Sequence, residues 1–291
     1  MEIIMNQEQL TLLPATTTRQ PEHTRSSAPA SPKFGVAEWA EASVNIGTGC
    51  SHNCRYCYAC GNALWRNQIP SRADWTTERL KSNPPKAKKY NGRVMFPTTH
   101  DISPFYLETA VITLRANLEQ GNQVLIVSKP HLVCIQRLCQ EFAKFKTQIL
   151  FRFSIGSLDE SLAAFWEPGA PRIQERVECL KFAQAAGFAT SVSMEPMLSG
   201  TDDAIATFNT LAPFVTDKIW LGKMNKVSQR VDQRDPQVRR YCIDLGKLQC
   251  DAEIRRLVNA LQGHPKVEWK ESIAELINRS SLQAPPTRQN H

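Results

Sequence analysis

A strand-then-helix alternation runs through most of this chain and constrains its fold more than any other feature. The stretch QVLIVSK (123–129) is a nearly continuous β-branched run, as expected of a parallel strand covered on both faces. Before it, SPFYLETAVITLRANLEQG (103–121) reads as a helix that starts at a Ser–Pro cap and ends at Gly121. Further strands read at ASVNIG (42–47), RVMFPTT (93–99), ILFRFSIG (149–156), FATSVSMEP (188–196), KIWLGKMN (218–225) and KVEWKES (266–272). Helices separate them at 131–145, 171–187, 202–215 and 251–263. Strands spaced by helices of this length imply a parallel sheet with right-handed crossovers. So many units fit a full or partial (β/α) barrel better than an open sheet. In a barrel, chemistry gathers at the C-terminal ends of the strands.

The 291 residues suffice for one large α/β domain or two small ones. Residues 11–34 are rich in Thr, Ser, Pro and Ala without apolar period, and the tail SSLQAPPTRQNH is similar. The expected organisation is a disordered leader over 1–38, a barrel domain with a C-terminal extension over 39–278, and a disordered tail over 279–291. A mean hydropathy of -0.36 argues against a membrane protein, and no run approaches the roughly eighteen apolar residues of a spanning helix. The first ten residues, MEIIMNQEQL, carry acids and no basic residue, so they do not read as a signal peptide. A reducing cytoplasm is the expected location, where the nine cysteines are not expected to pair as disulfides.

The net charge is +7. It concentrates in KSNPPKAKKYNGR (81–93), with five basic residues and no acid, and in 218–248, with eight basic against three acidic residues. Such stretches suit a polyanionic partner such as nucleic acid, the alternative being solvated loops. The 81–93 run joins a helix to the second strand and so belongs at the far end of the sheet from the chemistry. Lys223, Lys226, Arg230 and Arg234 follow the sixth strand and belong at the catalytic face.

The stretch GTGCSHNCRYCYAC (47–60) packs four cysteines, Cys50, Cys54, Cys57 and Cys60, into eleven residues. Zinc sites generally use two ligand pairs divided by a spacer, and no distant second pair is evident here. A thioredoxin-like C-x-x-C needs no further cysteine upstream, and a ferredoxin cluster uses a different spacing. Three closely spaced thiolates could hold three irons of a [4Fe–4S] cube and leave the fourth open. Cys134, Cys139 and Cys179 sit on predicted helices among apolar neighbours and read as core, whereas Cys60 and Cys242 could face the barrel mouth.

C-x3-C-x2-C with Tyr56 before its last cysteine, following the first strand of a (β/α) barrel, resembles the signature of the radical S-adenosylmethionine (SAM) superfamily. TTHDISPFYLE, VSKP, the run from RFSIGSLDE to AQAAGF and VSMEPML are similar to its spore photoproduct lyase-like branch, together covering about 42–225. The resemblance implies a partial barrel and a [4Fe–4S] cluster held by Cys50, Cys54 and Cys57. It also implies SAM cleaved to a 5′-deoxyadenosyl radical that abstracts hydrogen from a substrate. An external electron donor of the flavodoxin or ferredoxin kind follows from the same chemistry. By position, Tyr56 would set its backbone near the adenine and Lys129 would pair with the SAM carboxylate. Ser154 would hydrogen-bond SAM, and Thr98, Thr99 and Asp101 occupy the place that meets its amino group. Glu167 and Arg176 lie in the most similar run, either as part of the site or as a structural ion pair. One departure matters. Where spore photoproduct lyase has a hydrogen-donating cysteine after the second strand, this chain has PTTHD. The motifs serve the cofactor and leave the substrate and the substrate-side catalytic residues unnamed: nucleic acid or nucleotide is favoured. Modification of a peptide, or a zinc- or cluster-bearing nucleic-acid module without catalysis, are the alternatives.

Overall fold

The computed structural model describes residues 35–83 and 85–282. The described residues form nine strands: β1 (Ala42–Ser43), β2 (Gly47–Thr48), β3 (Arg79–Leu80), β4 (Val94–Phe96), β5 (Val124–Ser128), β6 (Ile149–Ser154), β7 (Ala189–Met194), β8 (Ile219–Leu221) and β9 (Val267–Trp269). Between them lie α1 (Tyr58–Trp65), α2 (Leu107–Glu119), α3 (Leu132–Glu141), α4 (Glu160–Trp166), α5 (Ile173–Ala185), α6 (Thr201–Leu211), α7 (Val227–Arg230), α8 (Pro236–Leu248) and α9 (Asp251–Leu261), and α10 (Glu271–Leu282) follows β9. β1, β4, β5, β6, β7, β8 and β9 pair in that order, all parallel. No pairing joins β1 to β9 among the described residues, so the sheet is a partial barrel of the type the sequence implies.

Side-chain alternation sorts the apolar residues into two cores. Val94, Phe96, Val124, Ile126, Phe151, Phe153 and Val192 point outward into the layer shared with the helices. Met95, Leu125 and Leu150 point inward and pack with Val36, Trp39, Ala40 and Val127. Both faces are therefore covered, which is why the strands read as continuous apolar runs. Part of the inner cover comes from the end of the expected leader: Gly35–Glu38 forms a 3-10 turn, and its Val36 seats against the barrel's inside next to Trp39 and Ala40, the first residues of the expected domain. The rest of that leader, 1–34, lies outside the described residues; of the tail expected over 279–291, residues 279–282 instead complete α10, and those beyond 282 lie outside the described residues.

Other differences have local causes. The strand expected over 42–47 divides, because β2 leaves the barrel to pair antiparallel with β3. A separate α4 precedes α5, started by Asp159, whose side chain accepts from Ser161 N at 2.7 Å and Leu162 N at 3.1 Å. Asp235 caps α8, a helix within the basic stretch, with Pro236 at its first position. The strand expected over 266–272 stops at Trp269, and its last residues begin α10. No helix among the described residues is long and apolar enough to cross a membrane.

Candidate active site

The cysteine loop lies within the excursion from β2 to β3 and is fixed from three sides. Gly49 adopts φ +93°, and a Cβ there would stand 2.2 Å from Thr77 O, while Cys50 N donates to Trp75 O at 2.8 Å. Arg72 Nη2 donates to Cys54 O and Arg55 O, both at 2.7 Å. Gly169 N donates to His52 O at 2.9 Å, and a Cβ on Gly169 would lie 2.1 Å from Ser51 O. Cys57 ends the loop as the N-cap of α1, its sulfur accepting from Cys60 N at 3.4 Å.

A cavity of about 320 Å³ opens at the C-terminal ends of the strands. Cys50, Cys54 and Cys57 line it, and so do Tyr56, Thr98, Thr99, Asp101, Lys129 and Ser154. All nine residues that the sequence singles out for cluster or SAM thus share one space. All three thiols are free of disulfides. Burial pushes the Cys54 thiol up to about 12. Burial first, then the Asp101 charge, raises Cys50 well above its ordinary value. Burial thus favours the neutral thiol at Cys50 and Cys54, the opposite of what a nearby cation would do. Cys60 is fully buried with Ile69 and Trp75, and Cys242 joins the main core. Neither lines the cavity, which corrects the expectation that they could face the barrel mouth.

Behind the loop sits a buried ion network. Glu167 and Arg176 are 3% and 1% exposed. The Glu167 carboxylate accepts from Arg176 Nη1 and from the Tyr56 hydroxyl, and Lys129 Nζ stands 3.8 Å away. Arg176 also donates to Pro171 O at 2.8 Å and Ser154 O at 3.2 Å. The Lys129 ammonium lies 5.6 Å from the Tyr56 ring centroid. Burial opposes the Glu167 charge, but Lys129 and Arg176 outweigh it and hold the carboxyl below its usual range. The pair is structural in geometry, and through it Lys129 and Tyr56 are held at the cavity wall.

Asp101 is a tie between segments. Its oxygens accept from Ser128 Oγ, from Ile102 N at 2.7 Å and from Lys129 N at 2.8 Å, and His52 Nδ1 is 3.3 Å away. Burial alone would raise its pKa, but His52 and these donors hold it well below the carboxylate range. Its carboxylate therefore joins the β4 loop, the end of β5 and the cysteine loop. Thr98 N and Thr99 N donate to Asn45 Oδ1 at 2.7 and 2.9 Å, and Thr98 O accepts from Tyr58.

Sequence reasoning missed Tyr58, His52, Glu195, Lys270 and Trp39, all of which line the same cavity. Tyr58 and His52 flank the clustered cysteines and could have been found by that adjacency; the others come from distant segments. Lys223 and Arg230 line the cavity, whereas no cation of 81–93 does. Lys226 is exposed with φ 53° and directly follows Asn225, which lines the cavity. Arg234 is exposed, its guanidinium paired with Asp232.

No protein-family model matches the chain. Over 177 residues, 55% of its length, it is 28% identical to Uncharacterized protein ORF301 of Acidianus two-tailed virus, and the match spans 56% of that relative, about half of its length. A solved spore photoproduct lyase variant with bound SAM and dinucleoside spore photoproduct is similar at TM-score 0.49 and 16% identity, covering 83% of this chain and 79% of that one. Streptococcus suis SuiB bound to SAM is similar at TM-score 0.43 and 11% identity, covering 61% of this chain and 39% of that one.

Proposed function

We propose that the protein is a radical SAM enzyme whose cluster ligands are Cys50, Cys54 and Cys57. The observation that carries the reading is the gathering of these three unpaired thiols, with Lys129 and Ser154, around one cavity at the C-terminal ends of parallel strands. Among the described residues no three His, Cys, Asp or Glu side chains converge on a single metal ion. A [4Fe–4S] cube takes one thiolate per iron, so it does not require such convergence, and the all-thiol donor set fits it. Zinc, which draws its donors into one tetrahedron, fits less well.

When bound, cluster and SAM together supply, on one-electron reduction, a 5′-deoxyadenosyl radical that removes a hydrogen atom from substrate. The chain's own residues would hold and orient. The Lys129 ammonium, steadied by Glu167 and Tyr56, is a point charge for the SAM carboxylate. Ser154 and the backbone of Thr98 and Thr99 offer polar contacts on the adjoining wall, with Asp101 positioning that wall. The Tyr56 backbone would face the adenine. Met95 and Val127 line the inner part of the cavity with apolar surface, which keeps water from a reactive radical. The reading calls for a flavodoxin- or ferredoxin-like electron donor.

Nucleic acid or nucleotide is the substrate class supported by Lys223, Lys226 and Arg230 at the rim, with a peptide as the alternative. The hydrogen donor of spore photoproduct lyase has no cysteine counterpart at Thr98 and Thr99, and an O–H bond there is too strong to replace it. The reaction is therefore lyase-like or a radical modification other than thymine-dimer repair by that route. Anaerobic reduction of the reconstituted protein with SAM, alone and with oligonucleotides or peptides, tests the proposal by release of 5′-deoxyadenosine. Release that oligonucleotides accelerate is the expected result; no release under any condition contradicts the reading.

A further inference from the structure

The cavity wall also holds a carboxylate that the proposed chemistry leaves unused. Glu195 follows β7 at its C-terminal end and lines the cavity with 26% of its side chain exposed. Its Oε2 lies 3.5 Å from Lys270 Nζ. Lys270, 3% exposed in its side chain, is held from the other side by Glu38 Oε2 at 2.6 Å and lies 4.5 Å from the Trp39 ring centroid. A Cβ added at Gly222 would come within 3.0 Å of both Glu195 Cγ and Lys270 Cβ, so the pair is closely packed in place. One ammonium serves two carboxylates. Glu38 Oε1 and the Trp39 and Trp220 indole N–H groups in the same wall are buried without a hydrogen-bond partner among the described residues, whereas Glu195, only partly covered, is the acceptor of this cluster that lines the open cavity.

The mouth has the opposite sign. Lys223 and Arg230 line it, Arg230 lying 5.9 Å from the Tyr58 ring centroid, and Lys226 is exposed beside them. A ligand that fits must place anionic groups at the rim and a hydrogen-bond donor inside. A single-stranded nucleic acid with one base turned into the cavity does both. An ionised carboxylate only accepts. The exocyclic amines of cytosine and adenine donate to it, whereas thymine offers its one N–H between two carbonyl oxygens that a carboxylate repels.

We infer that Glu195, positioned by Lys270 and Glu38, is a specificity-determining residue that accepts a hydrogen bond from the exocyclic amine of cytosine or adenine and disfavours thymine. This rests on the nucleic-acid reading above. The test is filter binding of dC, dA and dT homo-oligonucleotides to the reconstituted protein with SAM, at low salt. The wild type is expected to bind dC and dA about tenfold tighter than dT, as one charge-assisted hydrogen bond provides. Glu195→Gln, whose amide can donate to a thymine carbonyl, is expected to bring the three within about twofold while leaving the salt dependence of binding unchanged. A thermal melt confirms that this variant folds, and Glu195→Asp, which withdraws the carboxylate from the cavity, is expected to lie between the two. Binding without base preference in the wild type, or a preference that survives Glu195→Gln, overturns the inference and leaves the nucleic-acid reading standing. No binding of any oligonucleotide overturns both, and binding of a peptide instead would assign the rim to that class.

Discussion

Replacing Arg176 by Met should destabilise the protein by about 3–4 kcal/mol. The side chain is 1% exposed, and Met fills most of its volume, so the loss is electrostatic rather than a cavity. Its guanidinium bonds Glu167, Pro171 O and Ser154 O. Removing one partner of a buried ion pair costs about 3–5 kcal/mol, because the other charge stays desolvated. Here Glu167 keeps the Tyr56 hydroxyl and Lys129 at 3.8 Å, which places the expectation toward the lower end. For a folded unit of this size that corresponds to a melting temperature lower by about 6–16 °C. Urea unfolding followed by circular dichroism on the anaerobic apoprotein measures it. Arg115→Ala, which breaks a half-exposed pair with Glu141, is the control and should cost under about 1 kcal/mol. The double variant Glu167→Gln/Arg176→Met should lose less than the sum of the singles, since neither charge is then stranded. A loss at Arg176→Met no larger than the control would refute the claim that this network holds Lys129 and Tyr56.

Gly169→Ala should displace the cysteine loop, because the new methyl meets Ser51 O at 2.1 Å; reduced iron uptake on reconstitution is the readout, and wild-type uptake would count against it. Lys129→Ala should weaken SAM binding by roughly 1.5–3 kcal/mol without changing iron content, and calorimetry showing equal affinity would remove Lys129 from the SAM site. Charge reversal at Lys226 and Arg230 should weaken oligonucleotide binding more than reversal at Lys88 and Lys89. It should also flatten the salt dependence by close to one log–log unit for each phosphate that the rim no longer neutralises. Equal effects from the two pairs would take the rim out of the interface.

The barrel was legible where burial writes continuous apolar runs, as in β5 and β6, and where helices carry start and stop residues. The cysteine loop was legible through spacing alone. The inner wall was not. Arg152 sits in the middle of ILFRFS, where a charge gives no local reason for burial. Its partners are distant in sequence: the rings of Trp39 and Trp220, 4.7 and 4.9 Å from the guanidinium carbon, and Asp217 at 3.6 Å. Val36 and Trp39 were hidden for a related reason, since a short 3-10 turn after a polar, Pro-rich stretch has no periodicity to detect. Asp101 was singled out from the sequence and lines the cavity, but its hydrogen bonds to Ser128 and Lys129 depend on the register of β4 against β5, which no local pattern carries.

The central claim is that Cys50, Cys54 and Cys57 hold a [4Fe–4S] cluster, and the most direct test is iron and sulfide content after anaerobic reconstitution. The wild type and Cys60→Ala are predicted to bind about four of each per chain. Single Ala variants at Cys50, Cys54 or Cys57 should lose the cluster, and with it all release of 5′-deoxyadenosine from SAM. A triple variant that keeps its full iron and sulfide, or a wild type that takes up zinc and no iron, would contradict the account.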